Sequence, residues 1–559
     1  MPGIYGYIKQ SIDDKQIENM SKELFYQNNF IQDNTFSNDY LEFSHIHIGN
    51  IKKNNNYFLQ DGIYISIEGE QYDFSNISFE EFLFNAYKNN CLKEKLHDLD
   101  GYFNAIIYDS NINKVFLVSD RYGMQMLYYY FKDGNFAWSG EVKGLLGLNF
   151  VNKTISKESF DCFIDLGYLL EDNTWFKNIK LIKPATIMEF NLNTKKLSQK
   201  YYWKWSEIKP SNLSFDQAVD KVGSIFIDAV KKRFNPNDKI GIALSGGLDS
   251  RAIFAAINKL YPNFKGLATT FGIDGCDDIE IAKLVISKTN WEHQVFHFTS
   301  NNWFEPRLKQ NWKTDGMLNI MHMHGIELLQ ELKNKNFTIG GAIGDIVLRF
   351  SSLQNKTNCY NKKIDNNIAK IFYKGYSSNE WLNDDFYDIN NSEPFLLMND
   401  GRRFSNMGIV NSSSYVGYRY PFLDNQLLEI IYSLPDEYRE GNKLYKEMLL
   451  KKFPDFFKDI PWQNTRRNLD GTESKYLNKD NVIRGYLNYA GAIREKSILA
   501  EIFKILDYEK SYYKNFTNIN AIETYLKPHL DSMQVNHIEK IFRFITAELY
   551  LRDVNAKTK

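Results

Sequence analysis

The sequence is poor in cysteine and proline and has no long apolar run. Among 559 residues there are 4 cysteines and 12 prolines. No cysteines form a CxxC pair, which excludes a zinc knuckle or a disulfide framework and suits a reducing compartment, so we expect a cytoplasmic location. No stretch of about 18 apolar residues occurs, and the first ten residues lack the basic start of a secretory signal, so no membrane span is expected.

Neither sign of charge dominates the chain. The 68 Lys and Arg residues balance 69 Asp and Glu residues, for a formal net charge of −1. No block of one sign is long enough for a nucleic-acid arm or a polybasic membrane patch, so we expect neither partner. The length exceeds that of one ordinary hydrophobic core, and two domains are therefore expected.

The first two hundred residues are rich in short apolar runs separated by polar breaks, which is typical of strands. A helix is predicted at Glu80–Asn89 from its apolar spacing, and a hairpin turn at Asp109–Lys114. Together these patterns predict an antiparallel layered sandwich with helices outside. The predicted strands are Gly3–Ile8, Tyr64–Ile67, Tyr102–Tyr108, Val115–Val118, Met126–Phe131 and Thr186–Phe190.

After about Trp205 strands and helices alternate, which predicts a parallel, doubly wound sheet. An amphipathic helix is predicted at Ser214–Phe234 with Ser214 as its N-cap. We place the boundary near residues 204–213, with domains at 1–205 and 214–552. The elements that follow are a strand at 239–244, a helix at 251–260, a strand at 266–271, a helix at 277–289 and a strand at 294–298.

The loop Ser245–Ser250, SGGLDS, joins the first of these strands to the next helix. Backbone N–H groups and a helix N-terminus form an anion cradle there, and paired glycines let a phosphate approach closely. Asp249 beside phosphates is explained if Mg²⁺ lies between them. The loop has neither the ending of a Walker A motif nor a dinucleotide fingerprint. A glycine-rich turn without a ligand is the alternative.

This loop resembles the pyrophosphate loop of the N-type ATP pyrophosphatases, and the surrounding motifs resemble the asparagine synthetase B-like family. Asp278 and Ala282 match its acidic-plus-Ala pattern, and Tyr420–Asp424 resembles its PFLD signature. Gly340–Ile346 resembles its GxGxD element, and Lys443–Lys446 falls at its GKxxxR/K element. Three blocks of the first domain also match in order: 99–109, 119–130 and 136–146.

The resemblance implies an α/β protein: an N-terminal Ntn-hydrolase-like αββα sandwich, then a helix-rich PP-loop domain with a Rossmann-like parallel sheet. It implies ATP as substrate, with Mg²⁺ held by Asp249 and Asp345. Lys443 would stabilise the tetrahedral species or the pyrophosphate and, with the two aspartates, form the catalytic set. The implied ATP- and pyrophosphate-binding residues are Leu244, Ser245, Gly246, Gly247, Leu248, Asp249, Ser250, Thr270, Phe271, Gly340 and Gly341.

The first domain departs from the family at its nucleophile. A glutamine amidotransferase of this class begins with Cys after the initiator Met, and Pro2 stands there. The family's Asn-Gly-Glu reads Glu68-Gly69-Glu70, which would place a carboxylate beside the oxyanion. The arginine that grips the glutamine carboxylate is replaced near His47. We predict a degenerate domain without glutaminase activity.

The second domain departs at the base that would deprotonate the amine. Ala342 stands where the family has a glutamate and β-lactam synthetase a tyrosine. A substrate group, His322 or His324 are the candidates, and ordinary packing is the alternative for both histidines. The segment Trp462–Ser474 resembles one that closes over the adenylate, with Arg466 or Arg467 reaching phosphate.

These residues predict an AMP-forming carbon–nitrogen ligase that adenylates a carboxylate and joins it to an amine from a source other than glutamine. Relatives without the Cys, such as β-lactam synthetase and lasso peptide cyclases, form such bonds within one substrate. The substrates are small molecules or peptides of unassigned identity, and a homodimer is left open. The alternatives are an ammonia-dependent asparagine synthetase, an inactive nucleotide-binding relative, and a thiolating or NAD-forming enzyme.

Overall fold

A computed structural model describes residues 2–11, 15–49, 57–74, 76–329, 337–339, 362–476 and 483–558. It divides into two compact units. The first comprises Met1–Cys162, Leu169–Glu207 and Lys362–Ser414, and the second Phe163–Tyr168, Ile208–Asn361 and Tyr415–Lys559. The division after Glu207 falls inside the interval where the sequence changes pattern. The segment from Lys362 to Ser414, however, lies within the first unit, so the two-domain assignment by sequence stays a prediction.

The strands carry the labels β1 to β18. In chain order they are β1 (Gly3–Ile8), β2 (Ile31–Gln32), β3 (Phe36–Ser37), β4 (Leu41–His47), β5 (Phe58–Gln60), β6 (Ile63–Gln71), β7 (Gly101–Asp109), β8 (Lys114–Ser119), β9 (Tyr128–Lys132), β10 (Asn135–Ser139), β11 (Ile179–Leu181), β12 (Thr186–Asn191), β13 (Lys196–Tyr201), β14 (Ile240–Ala243), β15 (Leu267–Gly272), β16 (Glu292–His297), β17 (Phe337–Ile339) and β18 (Gly417–Arg419).

The α-helices carry the labels α1 to α20. In chain order they are α1 (Ile17–Leu24), α2 (Phe79–Lys88), α3 (Leu92–Asp98), α4 (Val142–Leu146), α5 (Lys157–Leu166), α6 (Phe215–Arg233), α7 (Asp249–Leu260), α8 (Asp277–Ile286), α9 (Phe304–Leu308), α10 (Asn366–Tyr373), α11 (Asn379–Leu382), α12 (Glu393–Leu396), α13 (Asn406–Ser413), α14 (Asn425–Ser433), α15 (Lys443–Lys452), α16 (Pro454–Phe457), α17 (Tyr489–Ala492), α18 (Lys496–Ile505), α19 (Lys527–Asp531) and α20 (Ile538–Thr558). Two π-helical stretches lie at Leu397–Ser405 and Ile522–Leu526.

The first unit is built on two antiparallel sheets. One has the order β11-β9-β10-β1-β4-β2, with β3 also paired to β4, and the other has the order β13-β12-β8-β7-β6-β5. Their facing sides share one apolar core, in which Ile4 and Trp138 of the first sheet meet Leu117 and Phe190 of the second. Helix α1 packs on β1 and β4, and α2 packs on β6. This arrangement confirms the predicted αββα sandwich.

Several predicted elements have different ends in the structure: α7 begins at Asp249 rather than Arg251, and β16 is Glu292–His297 rather than 294–298. Two further differences have a visible cause. The strand predicted at 126–131 is β9, which begins at Tyr128. The Asn104 side-chain amide donates to the carbonyl oxygens of Gln125 and Met126, each at 3.2 Å. These two carbonyl groups are therefore hydrogen-bonded to a side chain and not to a neighbouring strand. The helix predicted at 277–289 ends at Ile286, where Thr289 Oγ1 donates to the Ile286 carbonyl at 3.1 Å.

The segment Lys362–Ser414 belongs to the first unit through buried polar contacts. Arg402 is fully buried and donates to the carbonyl oxygens of Gly123 and Ile182, both at 2.6 Å. Asn406 donates to the Met124 carbonyl at 2.8 Å. Because these acceptors lie in the strand-rich part of the chain, the sequence far downstream completes the N-terminal unit.

The second unit has a parallel sheet, β16-β15-β14-β17-β18, and all of its strand pairs are parallel. Strands β14, β15 and β16 alternate with helices α7 and α8, as the apolar pattern predicts. Helix α6 begins after Ser214, whose side chain accepts from the Gln217 N–H while Gln217 accepts from the Ser214 N–H. The predicted N-cap is confirmed as a full capping box.

Among the described residues, no helix is both long enough and apolar enough to span a membrane.

The capping box of α6 leads to a first prediction. Changing Ser214 to Ala removes the acceptor for the Gln217 N–H and should lower the free energy of unfolding by about 1 kcal/mol. Denaturant unfolding of the transition that includes α6 measures this loss. Ser224→Ala is the matched control, because Ser224 is exposed in the same helix and its hydroxyl only donates to the Asp220 carbonyl. Equal losses in both variants would contradict the role of the cap.

Candidate nucleotide site

The loop Ser245–Leu248 leaves the carboxyl end of β14 and enters α7 at Asp249. Two serine hydroxyls hold its backbone, one from the loop and one from α7. Ser250 Oγ accepts from the Ser245 N–H at 3.1 Å, and Ser245 Oγ accepts from the Gly247 N–H at 3.2 Å. Helix α7 is held in place because residues 252–257 are buried. The loop therefore runs directly into the N-terminus of a twelve-residue helix, an end that favours anions.

Gly246 is held through both of its backbone groups. Its N–H donates to Asp278 Oδ1 at 2.8 Å, and its carbonyl accepts from the Gln463 N–H at 3.3 Å. A Cβ at this position would stand 3.0 Å from Ile281 and 3.1 Å from the Gln463 Cβ, so a larger residue would push its neighbours apart. Burial raises the pKa of Asp278, although the bonds from Gly246 and Gln463 oppose that rise.

Asp249, the predicted metal ligand, is half-buried at the first position of α7. The Tyr445 hydroxyl donates to its Oδ1 at 2.9 Å, which orients the carboxylate. Lys443 begins the same helix as Tyr445 and its side chain is exposed. The two residues lie about 200° apart around α15 because each residue turns a helix by about 100°. The predicted role of Lys443 stays a prediction.

The residues predicted to contact adenine lie at the ends of neighbouring strands. The Thr270 hydroxyl donates to the Leu244 carbonyl at 2.9 Å and lies 2.9 Å from His293 Nε2. The Phe271 ring has ring contacts with His324 and Tyr486, at centroid distances of 5.9 and 5.5 Å. The end of β15 is therefore flanked by aromatic rings that a planar base could stack on.

The segment after Trp462, predicted to close over the adenylate, contacts this loop. Gln463 Nε2 donates to Asp278 Oδ2 at 2.7 Å, and an Arg466 nitrogen lies 3.6 Å from Asp277 Oδ2. Arg466 also has a left-handed backbone conformation, with φ of 56°. Arg467 instead lies 4.0 Å from Glu473 and is exposed. Of the two arginines, Arg466 is the one beside the phosphate loop.

Arg251 holds the residues that immediately precede this segment. This role was not found from the sequence. Its guanidinium is buried, donates to the carbonyls of Ile460 and Pro461 at 3.3 and 3.2 Å, and reaches the Gly246 carbonyl at 3.4 Å. Burial lowers its pKa to about 9. The loop motif continues into this arginine directly, but nothing in the sequence indicates that residues 460–461 are its partners.

The two candidate bases lie near each other, with ring centroids 6.3 Å apart, but have different hydrogen-bond partners. His322 Nε2 lies 3.2 Å from Glu539 Oε1, and Glu539 also accepts from Asn319 at 3.1 Å. His324 Nδ1 lies 3.2 Å from the Tyr486 hydroxyl. Both histidines have partners that a packing role explains, and neither assignment is tested by these contacts. Gly340, Gly341, Ala342 and Asp345 lie outside the described residues.

The PFLD signature has a structural role. Asp424 accepts from the Leu427 N–H at 3.1 Å as the cap of α14, and from Arg233 at 2.8 Å in a buried ion pair. These contacts tie α14 to the end of α6. The resemblance of this motif to the family is therefore a resemblance in folding as much as in chemistry.

The positions that depart from a glutaminase lie at the start of β1. Pro2 is buried, and the Ile4 N–H donates to Glu68 Oε2 at 3.3 Å. A Cβ at Gly3 would stand 2.0 Å from the same Glu68 oxygen, and Gly3 has φ of 72°. The carboxylate of Glu68 therefore fills the space beside the first residues of the strand.

Comparison with known proteins adds two families. Residues 54–203 match the glutamine amidotransferase domain, and residues 221–339 match asparagine synthase. A Methanocaldococcus jannaschii protein described as a glutamine-hydrolyzing asparagine synthetase is 26% identical over 42% of this chain and 45% of its own length. The Gallus gallus asparagine synthetase is 23% identical over 76% of this chain and 75% of its own.

Other matches are partial. Four curated relatives are covered over only 45%, 30%, 34% and 33% of their length. A Bacillus subtilis glutamine phosphoribosylpyrophosphate amidotransferase structure is 9% identical, with a TM-score of 0.26 over 46% of this chain and 63% of that one. A likeness at that score carries no argument.

The contrast between Arg466 and Arg467 yields the second prediction. Arg466 offsets Asp277, which neighbours the carboxylate on the Gly246 amide, so Arg466→Gln leaves uncompensated negative charge where a triphosphate would bind. We expect Mg-ATP affinity, measured by calorimetry, to fall about fivefold, the size of a partly screened charge contact. The matched variant Arg467→Gln should change the affinity little. Equal effects of the two variants would contradict this placement.

Proposed function

Because the chain is a member of the asparagine synthetase B-like family, with a glutamine amidotransferase domain followed by an asparagine synthase domain, we propose that it is an ATP-dependent ligase. It activates a substrate carboxylate as an acyl-adenylate and joins it to an amine. The observation that carries this proposal is the loop Ser245–Leu248, which runs into the N-terminus of α7 at Asp249 and whose Gly246 N–H already donates to a carboxylate.

The loop suits the pyrophosphate end of ATP for a reason visible in its contacts. The Gly246 N–H already donates to a carboxylate oxygen of Asp278 at 2.8 Å, so in its present orientation this group can donate to an anion. Among the described residues, a Cβ on Gly247 would meet only Ser245 Oγ within 4 Å, so this part of the chain leaves the backbone open to close approach. A phosphate oxygen that took the Gly246 amide would displace Asp278.

The acidic residues fit a magnesium ion. Asp249 offers a half-buried carboxylate that Tyr445 orients, and oxygen donors of this kind are those Mg²⁺ prefers. By the resemblance Asp345 would be the second ligand. When bound, Mg²⁺ supplies charge that offsets the negative charge growing on the departing pyrophosphate.

The reaction runs in two displacements. A carboxylate oxygen of the first substrate attacks the α-phosphorus of ATP, and the bond to pyrophosphate breaks. The loop amides and the N-terminus of α7 stabilise the leaving pyrophosphate, and Arg466, which lies 3.6 Å from Asp277, can turn from that carboxylate to the pyrophosphate. The amine nitrogen then attacks the acyl carbon, loses a proton, and AMP leaves.

The amine is proposed to come from a substrate rather than from glutamine. Pro2 has no side-chain nucleophile, and Glu68 directs a carboxylate at the Ile4 N–H, a position where a developing oxyanion would be repelled. An amine carried by a small molecule or a peptide fits this loss, and ring closure within one peptide is the form we favour. Ammonia with aspartate is the competing pair.

The central test is the third prediction, on the products and on Asp249. With a suitable carboxylate and amine, each amide formed should be accompanied by one AMP and one pyrophosphate. Asp249→Asn should slow turnover by at least about a hundredfold, as expected on losing one electrostatic contact to the reacting phosphates. Asp220→Asn is the control, because Asp220 is exposed and forms surface ion pairs with Lys451 at 2.8 Å and Lys452 at 3.3 Å.

Two results would contradict the proposed chemistry. One is release of ADP and orthophosphate during turnover. The other is full activity of Asp249→Asn. If labelled pyrophosphate never exchanges into ATP with any of a broad panel of carboxylates, the chain acts as a nucleotide-binding protein.

The fourth prediction concerns nitrogen. Supplied with glutamine labelled at the side-chain amide, ammonium and candidate amines, the protein should release no glutamate and incorporate no label from glutamine. Mass spectrometry of the product and a glutamate assay measure both. Labelled ammonium entering asparagine would favour the ammonia-dependent alternative. Glutamate released in step with AMP would contradict the proposed loss of glutaminase activity.

A further inference from the structure

We propose that Asp33, His45 and His47 of the N-terminal unit form a binding site for one divalent transition-metal ion of the Zn²⁺ class. This site is separate from the magnesium position of the nucleotide loop, and it does not depend on the proposed ligase activity. Among the described residues, these three side chains bring two imidazoles and one carboxylate to a common point, with their ligand atoms all within 4.8 Å of one another.

The strand geometry explains why the three side chains meet. His45 and His47 are two apart on β4, and alternate residues of a strand point to the same face. Asp33 follows β2, which pairs antiparallel with β4, and its N–H donates to the His45 carbonyl at 2.9 Å. Asp33 is therefore the cross-strand neighbour of His45 and presents its carboxylate on that face.

The separations suit a bound ion. His45 Nδ1 lies 3.1 Å from Asp33 Oδ2, and His47 Nε2 lies 3.2 Å from Asp33 Oδ1. Ligand atoms about 2.0–2.1 Å from a tetrahedral ion stand about 3.3–3.4 Å apart. The two short separations are close to this value but involve different oxygens of Asp33, and the three ligand atoms lie within 4.8 Å of one another, so the side chains have to close around the ion. Three protein ligands leave a fourth position for water or a substrate atom.

The donor set selects the class of ion. Imidazole nitrogen suits zinc, cobalt, nickel and iron, whereas Mg²⁺ and Ca²⁺ prefer oxygen donors throughout. The side chains are protected from solvent, with exposed fractions of 3% for His45, 8% for Asp33 and 11% for His47. A site with this shielding loses less of its electrostatic attraction to bulk water than a surface cluster does.

Binding of an ion requires a change at Gly49. Its N–H donates to His47 Nδ1 at 2.9 Å, so without an ion the ring carries its proton on Nε2 and donates it to Asp33. An ion at Nε2 replaces that proton, and the ring must then be protonated at Nδ1. The Gly49 amide has to turn away, and glycine with φ of 74° permits such a turn. Ion binding is therefore coupled to the Gly49 peptide.

The site lies beside the first residues of β1. In the strand register His45 is opposite Ile4, and Ile46 is opposite Gly3. Continuing that register by one residue would set His47 opposite Pro2. By the family resemblance this is the place where a working amidotransferase would hold its nucleophile and grip the glutamine carboxylate. The proposed metal site would therefore lie close to the place where the family binds glutamine.

The test measures Zn²⁺ on the full-length protein without ATP or Mg²⁺. We expect one Zn²⁺ per chain to survive gel filtration, and Co²⁺ in its place to give visible absorption bands of a nitrogen- and oxygen-ligated ion. Asp33→Asn, His45→Gln and His47→Gln should each weaken Zn²⁺ affinity at least about tenfold, since each removes a ligand. These substitutions keep side-chain size, and near-ultraviolet circular dichroism checks the fold.

The control is His97→Gln in the same unit. His97 lies 2.7 Å from Asp98 and 2.9 Å from Glu207 in an exposed group, and its loss should leave Zn²⁺ binding unchanged. If the wild-type chain retains no Zn²⁺, or if His45→Gln and His97→Gln bind it equally, the three residues form only a hydrogen-bonded cluster and the proposal is overturned. Because ATP chemistry does not enter the assay, this outcome leaves the ligase proposal untouched.

Discussion

The two backbone groups of Gly246 are the point on which the candidate site depends. Its N–H is committed to Asp278, and its carbonyl accepts from both Arg251 and Gln463. One residue thus joins the end of β14, the start of α8 and the segment after Pro461. A side chain there would collide with Ile281 and Gln463, so the glycine is required by contact and not only by the approach of a ligand.

Two neighbouring carboxylates lie beside this loop. The Asp278 carboxylate occupies the Gly246 amide, and Asp277 beside it is compensated by Arg466. In the proposed function, a phosphate would displace Asp278 from the Gly246 N–H. It could also attract Arg466 away from Asp277, since a guanidinium binds phosphate as readily as carboxylate. Ligand entry and movement of the segment that carries Gln463 and Arg466 are therefore coupled through the same acidic pair.

The sequence predicted those parts of the site that depend on neighbours along the chain. The strand, the glycine pair and the helix follow one another closely along the chain, so periodicity and the loop motif were sufficient to find them, although the helix was predicted from Arg251 and begins at Asp249. Tyr445, Gln463 and Arg251 were missed because their partners lie 185 to 210 positions away. No local pattern records which distant side chain a loop will meet.

The fold shows the same limit. The αββα layers were predictable from alternating apolar runs, and Ser214 was predictable as a cap because its partner Gln217 is three residues on. Strand β4 was not predicted as a strand, since its histidines and its acidic Glu42 interrupt the apolar pattern although all seven residues are buried. This strand forms because its polar side chains, including those of His45 and His47, are buried by tertiary contacts that the local sequence does not indicate.

The persistence of the N-terminal unit does not require glutaminase chemistry. Residues 362–414 come after the asparagine synthase match, which ends at residue 339, yet Arg402 and Asn406 donate to the carbonyl oxygens of Gly123, Ile182 and Met124. Without the sandwich these buried polar groups would lose their partners, and leaving such groups unpaired costs about 1–3 kcal/mol each. Selection on a later segment of the chain would therefore preserve the sandwich whether or not the chain hydrolyses glutamine. Ile4 of β1 is held in a similar way, because it is buried in the apolar core that the two sheets share.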